Sequence, residues 1–136
     1  MKISTKGRYA LRVLLDLAEH REDGYISLKE IAERQQVSKN YLEQIMMILN
    51  KGNFLRTTRG YQGGYKLRKS PSDYSVGDIL RVTEGNISPV SCLSDDNDEC
   101  GKLNECMARR VWSGLEDVML NYLNNLSLED ILTHYK

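Results

Sequence analysis

The sequence predicts a mainly α-helical chain: a winged helix-turn-helix with a two-stranded wing and a long C-terminal dimerisation helix. Three observations carry that prediction. Two short amphipathic runs, each opened by a serine, adjoin across a tight break at Val37. A short hairpin with glycines in its turn follows them directly, over 54–67. A much longer apolar stripe then occupies about 103–125.

The elements follow in order. "TKGRYALRVLLDLAEHRED" places Ala10, Val13, Leu14, Leu17 and Ala18 at helical spacing, with Ser4 or Thr5 as the cap and Gly24 as the stop. "SLKEIAERQQV" opens on Ser27 and Glu30, spaced as a capping box, and directs Leu28, Ile31 and Ala32 inward. "SKNYLEQIMMILNKG" runs from Ser38 to Gly52. Its inner face is Leu42, Ile45, Met46 and Leu49; its other face carries Asn40, Glu43, Gln44 and Met47. "FLRTT" (54–58) reads as a strand, "RGYQGG" (59–64) as a turn, and "YKL" (65–67) as the returning strand. Tyr65 packs this wing onto the body.

Past Pro71, "SVGDILRVTEG" has Ser75 and Asp78 at capping-box spacing and an apolar stripe of Val76, Ile79 and Leu80. Pro89 separates it from a segment holding all three cysteines. The long helix starts near Leu103 and ends near Asn125, with Val111, Leu115, Val118 and Tyr122 at three- and four-residue steps, widened by Trp112, Met119 and Leu123. About 20 residues of helix span about 30 Å. One small winged domain cannot cover that length, so a second copy in a two-fold homodimer is the economical partner. "SLEDILTHY" (127–135) closes the chain as a short helix capped by Ser127 and Asp130.

A net charge of zero conceals a division. Residues 1–69 hold 14 Lys and Arg against 7 Asp and Glu, whereas residues 70–136 hold 5 against 12. The chain divides accordingly into a DNA-binding part, 1–69, and a dimerisation region, 70–136, that contains the cysteine segment 92–106. A basic surface suits a polyanion, since neutralising phosphates releases counterions, and double-stranded DNA fits the wing and helix pair. No apolar run reaches the length of a membrane span, and the N-terminus lacks the apolar core of a signal peptide. Three cysteines, an odd number, speak for a reducing cytoplasm over a disulfide framework. The chain has no phosphate-binding loop, no plausible Cys–His pair and no carboxylate pair in a cleft pattern, so it does not read as an enzyme.

In a winged helix, the second helix of the pair enters the major groove with its N-terminal half toward the bases. That nominates Ser38, Asn40, Tyr41 and Gln44. Gln44 suits a bidentate contact with adenine, and Ser38 suits a base or phosphate. Tyr41 serves either as a contact or as a half-buried ring that holds the helix. Glu43 either accepts from a cytosine amine or faces solvent. Lys39 and Lys51 suit phosphates, as do Lys6 and Arg8 near the start of the first helix. Arg59 at the wing tip suits a narrow A·T-rich minor groove.

The cysteines Cys92, Cys100 and Cys106 admit three readings: metal ligands, redox thiols, or small hydrophobes that lie close together. Zinc or an iron–sulfur cluster would each accept thiolates.

"MKISTKGRYAL", "SKNYLEQIMMIL", "RGYQGGYKL" and "SVGDILRVTEG", in that order and spacing over nearly the whole chain, closely resemble the Rrf2 family of bacterial transcription regulators. The resemblance implies DNA contacts at Ser38, Tyr41, Gln44 and Arg59, and places Glu43 where cluster-bearing members discriminate between DNA sites. Asn40 stands where a small hydroxyl residue is common. It also implies an iron–sulfur cluster, 2Fe-2S or 4Fe-4S, on Cys92, Cys100 and Cys106, and a homodimeric regulator, commonly a repressor, that senses iron–sulfur status, nitric oxide or redox state.

The chain departs from that pattern in three places. Seven residues instead of five separate Cys92 from Cys100. Arg109 stands where a histidine ligand is found, and Arg8 where another member recruits an aspartate. Asp95, Asp98, Glu99 and Glu105 are the nearby oxygen donors, while His20 and His134 are distant in sequence. Other members lack the cysteines, which keeps open control by a metabolite or by a partner such as a metabolic enzyme.

Overall fold

The computed structural model describes residues 2–93 and 105–135. Its elements are α1 (Thr5–Glu19), α2 (Leu28–Gln35), α3 (Lys39–Lys51), β1 (Leu55–Thr58), β2 (Gly64–Leu67), α4 (Val76–Glu84), α5 (Met107–Asn124) and α6 (Leu128–His134). Single 3-10 turns lie at Arg21–Asp23, Pro71–Asp73 and Ser91–Leu93. The fold is mainly helical, a winged helix-turn-helix whose wing is one antiparallel strand pair, followed by a long helix.

Serine starts five of the helices. The Oγ atoms of Ser4, Ser27, Ser38, Ser75 and Ser127 accept from the backbone N–H groups of Gly7, Glu30, Tyr41, Asp78 and Asp130. Each satisfies a donor that the first turn leaves without an intrahelical acceptor. Only Ser127 and Asp130 form the full reciprocal box. At the other two predicted boxes the carboxylate turns outward to a cation one turn on: Glu30 to Arg34 at 3.9 Å and Asp78 to Arg81 at 3.0 Å. Gly24 does not stop α1. The helix ends at Glu19, where the Arg21 guanidinium donates to the Ala18 carbonyl at 2.8 Å. Gly24, at φ 76°, reverses the chain after the following turn.

Between α2 and α3, Gln36 takes a left-handed conformation and the Val37 N–H donates to the Ala32 carbonyl at 3.1 Å. That closes the break between the two helices. The inner face of α3, Leu42, Ile45, Met46 and Leu49, fills the core against Val13, Leu14 and Leu17 of α1 and Ile31 of α2. Tyr74, Ile79 and Leu128 complete the same core, so α4 and α6 fold back on the first three helices.

A buried tyrosine joins these parts. The Tyr74 hydroxyl donates to the Phe54 carbonyl at 2.6 Å and accepts from the N–H groups of Arg68 and Lys69 at 2.9 and 3.0 Å. Burial raises its pKa, against the pull of the two N–H donors. Tyr74→Phe takes the acceptor from the Lys69 N–H and leaves the Arg68 N–H and the Phe54 carbonyl only their mutual hydrogen bond at 3.2 Å. We expect a loss of about 1–3 kcal/mol in urea unfolding, the desolvation cost of unpaired buried polar groups.

A second apolar cluster unites Val76, Leu80 and Ile87 with Leu120 and Leu123, docking the C-terminal half of α5 onto α4. α5 keeps one face exposed along its length. It buries no residue completely, and Met107, Val111, Trp112, Leu115, Val118 and Tyr122 are exposed. The helix begins at Met107, with Cys106 immediately before it and no side-chain cap; Leu103, where the pattern suggests its start, lies outside the described residues. No helix among the described residues is long and apolar enough to cross a membrane.

Candidate functional site

The packing of α3 determines what it can offer. With its apolar face in the core, it leaves Lys39, Asn40, Glu43 and Gln44 exposed, and Met47 is 61% exposed on the same side. Ser38 caps the helix through its oxygen, which leaves its hydroxyl proton available to donate outward. Tyr41 is half-buried and meets Tyr9 edge to face, ring centroids 5.9 Å apart. Its ring therefore braces α3 against α1. Arg12 lies over Tyr9 at 4.6 Å and also holds Gln35, donating from Nε to Oε1 and from Nη2 to the carbonyl, both at 3.0 Å. Lys6 and Arg8 are exposed on the first turn of α1, where Arg8 donates to Thr5 Oγ1 at 3.1 Å.

The wing adjoins α3. Leu55 to Thr58 pair with Leu67 to Gly64. Ile26 and Tyr65 exchange two backbone hydrogen bonds at 2.8 and 2.9 Å, and any Cβ on Gly64 would overlap the Ile26 backbone. Asn50 of α3 donates to Thr57 Oγ1 at 3.2 Å. The Tyr65 hydroxyl is pushed up by burial and then by the negative charge of Glu43, so Glu43 lies on the wing side of α3. Lys66 Nζ sits 4.6 Å from the Tyr25 ring centroid.

The turn itself revises the picture of the wing tip. The Gly63 N–H donates to the Gly60 carbonyl at 2.9 Å, which makes Tyr61 and Gln62 the central pair. Arg59 is exposed on the flank of the loop, and Tyr61 forms its apex, fully exposed. Neither Tyr61 nor Met47 is singled out by polar-contact reasoning. The available signal is a large apolar residue at a position no neighbouring element covers.

The cysteine segment is described at its two ends. Cys92, in the Ser91–Leu93 turn, and Cys106, before α5, are both half-buried thiols. The turn carrying Cys92 packs against α5, so both ends of the segment lie against one helix. Cys100, Asp95, Asp98 and Glu99 lie outside the described residues. Among the described residues no three His, Cys, Asp or Glu side chains converge as a metal site. The donor type suits an iron–sulfur cluster, because thiolates are its usual ligands.

No histidine joins the two described thiols. The Nδ1 atom of His20 lies 2.8 Å from the Asp16 carbonyl, and His134 is exposed at the end of α6. Arg109 stands one turn beyond Cys106; its guanidinium only donates and cannot ligate iron. Arg109 Nε is buried without a partner among the described residues.

Comparison with known proteins gives a consistent result. The family model Rrf2, described as an iron-dependent transcriptional regulator, matches residues 3–134. The HTH-type transcriptional regulator CymR of Bacillus subtilis (strain 168) is 39% identical over 134 residues, 98% of this chain and 91% of that protein. Its solved structure superposes with a TM-score of 0.75 at 37% identity, over 98% of each chain. The protein rrf2 of Nitratidesulfovibrio vulgaris Hildenborough is 36% identical over 132 residues, 97% of this chain and 87% of that protein. The structure of T. potens IscR superposes with a TM-score of 0.77 at 36% identity, over 100% of this chain and 89% of the other.

Proposed function

The chain belongs to the Rrf2 family of DNA-binding transcription regulators, and on that premise we propose that it is a homodimeric, sequence-specific repressor switched through its cysteine segment. One observation carries the DNA-binding geometry. α3 commits one face to the core and leaves Asn40, Glu43, Gln44 and Met47 uncovered, with the wing fastened beside it through Asn50 and Thr57. Residues 1–69 supply the contacts: Ser38, Asn40, Tyr41, Glu43 and Gln44 in the major groove, Arg59 in the minor groove, and Lys6 and Arg8 on the backbone. Residues 70–136 pair the two copies through α5.

In this reading Cys92, Cys100 and Cys106 hold an iron–sulfur cluster, 2Fe-2S or 4Fe-4S, whose bound iron supplies reactivity toward oxidants and nitric oxide. Two half-buried thiols at the two ends of one segment, both against α5, support that assignment. So does the similarity to T. potens IscR. Arg109 leaves the remaining ligand to another donor.

Two measurements test the proposal. Selection from a random DNA pool should recover a two-part operator, on which Gln44→Ala binds about tenfold more weakly, the scale of one lost bidentate contact. Recovery of no sequence overturns the DNA reading. Protein purified without oxygen should contain iron and acid-labile sulfide and absorb in the visible, and the Cys92→Ser, Cys100→Ser, Cys106→Ser triple variant should lose all three signals. Their absence from reconstituted wild type removes the cluster.

A second reading is control by a partner protein, such as a metabolic enzyme, or by a metabolite. Arg109 at the histidine position favours it, as does the similarity to CymR, called the global cysteine regulator of B. subtilis. A triple serine variant that responds like wild type to iron, nitric oxide and oxidants would establish it over the cluster.

A further inference from the structure

The wing ends in a closed turn whose outermost side chain is aromatic. Thr58 and Gly64 are its last paired residues, and the Gly63 to Gly60 hydrogen bond closes the loop at 2.9 Å. Gly60 has φ 107°, a conformation that L side chains rarely adopt. Tyr61 therefore stands at the apex of the turn, fully exposed. Only two other large apolar side chains are exposed among residues 2–93: Met47, on the open face of α3, and Tyr25, which lies beneath the Lys66 ammonium.

A wholly hydrated ring at a tight turn adds nothing to the packing of the free chain. Its surroundings indicate what would cover it. Residues 44–72 contain Lys51, Arg56, Arg59, Lys66, Arg68 and Lys69 and no Asp or Glu. Arg56 and Arg59, on the strand and loop that lead to the apex, are both exposed. A surface with that charge attracts a polyanion. A protruding aromatic ring matches the apolar sugar walls of a minor groove, and its hydroxyl matches a phosphate oxygen.

We infer that Tyr61 is a second DNA contact of the wing, its ring against the deoxyribose wall of the minor groove beside Arg59 and its hydroxyl donating to a backbone phosphate. The inference rests on the DNA-binding reading above and extends it to a residue that polar readout does not select. Tyr61 strengthens binding along the groove and leaves base discrimination to α3.

The full chain is titrated with DNA selected by the wild type, at several salt concentrations, beside Tyr61→Ala, Tyr61→Phe, Arg59→Ala and Gln44→Ala. Tyr61→Ala should bind about tenfold more weakly, the combined scale of a partly covered ring and one hydrogen bond. Its salt dependence should match wild type, whereas Arg59→Ala should lower the slope by about one. Tyr61→Phe should fall between wild type and Tyr61→Ala. Discrimination against a single changed base under α3 should persist in Tyr61→Ala and shrink in Gln44→Ala. The melting temperature of Tyr61→Ala should equal that of wild type.

Tyr61→Ala affinity within twofold of wild type, with Gln44→Ala impaired, overturns the inference and leaves the DNA reading standing. A lowered melting temperature for Tyr61→Ala overturns it as well, by giving the ring a role in folding. Failure of wild type to select any DNA overturns both.

Discussion

Replacing Val111 and Val118 together by glutamate should leave the chain folded and make it monomeric. Both side chains are exposed, Val118 at 69%, on a helix that buries no residue completely in its own chain. With Met107, Leu115 and Tyr122 they form an apolar stripe along most of the 18-residue helix, about 24 Å. Each such side chain gains about 1.5–3 kcal/mol when covered. A two-fold axis beside α5 would set the stripe against its own copy and cover it from both chains.

Four carboxylates in that seam would each lose several kcal/mol of hydration without a partner. Dimer affinity should fall by more than a hundredfold. Affinity for a two-part operator should fall by about 10²–10⁴, the gain that linking two sites provides. Light scattering reads the first effect and DNA titration the second, while far-ultraviolet circular dichroism should be unchanged. A double variant that remains dimeric would place the dimer seam elsewhere.

Asp16→Ala should produce a large stability loss for the change of a single polar side chain. The Asp16 carboxylate is 5% exposed and accepts three hydrogen bonds: two from Arg34, at 2.6 and 2.9 Å, and one from Gln35 at 2.8 Å. His20 adds a longer contact at 3.7 Å. This set ties α1 to α2, the first helix of the DNA-binding pair. Removing one partner of a buried ion pair costs about 3–5 kcal/mol. The Arg34 side chain keeps 34% of its surface in water and can rehydrate, which brings the expected loss to about 2–3 kcal/mol. Arg34→Ala should cost more than a surface ion pair, because it leaves the buried carboxylate on Gln35 alone.

The pH dependence has a definite sign. Burial alone would raise the Asp16 pKa; the hydrogen bonds from Arg34 and Gln35 and the charges of Arg34 and His20 outweigh burial and hold it below the usual carboxylate value. Its folded pKa thus lies below its unfolded one. The stabilisation is complete above about pH 4, the ordinary carboxylate range, and is lost as the pH falls through the lowered folded value. Urea unfolding from pH 6 to pH 2 should show a steeper acid loss for wild type than for Asp16→Asn. Equal slopes would show that the ion pair contributes nothing to acid stability.

The parts of the fold that were legible in the sequence share a short range. Ser4, Ser27, Ser38, Ser75 and Ser127 announce helix starts because the donor each satisfies lies three residues on. Leu42, Ile45, Met46 and Leu49 reveal the inner face of α3 because helical spacing alone places them together. The wing could be read because its two strands are joined by a turn of a few residues. The candidate DNA contacts on α3 follow from the same periodicity: once one face is apolar, the other must be open.

What remained hidden depends on distant partners. Asp16 looks like an ordinary helical carboxylate until α2 brings Arg34 and Gln35 to it, 18 and 19 residues away. Tyr74 looks like one more loop tyrosine, yet it closes the base of the wing. Glu30 and Asp78 have capping-box spacing, but each swings to a cation on its exposed face, where solvent competes for the box. Arg59 seemed to be the tip until the Gly60–Gly63 hydrogen bond put Tyr61 there. The cysteines show their chemical type in the sequence; the geometry of a ligand set is beyond it.

By itself, then, the sequence determined the helices, the wing, the open face of α3 and the thiol chemistry of the cysteine segment, since local hydrogen bonds and periodicity decide these. Only the tertiary structure decided that α4 and α6 share the core of the first three helices, that Asp16 is buried and paired, and that Tyr61 crowns the wing. Those outcomes depend on which distant surfaces exclude water together, and no local pattern encodes that.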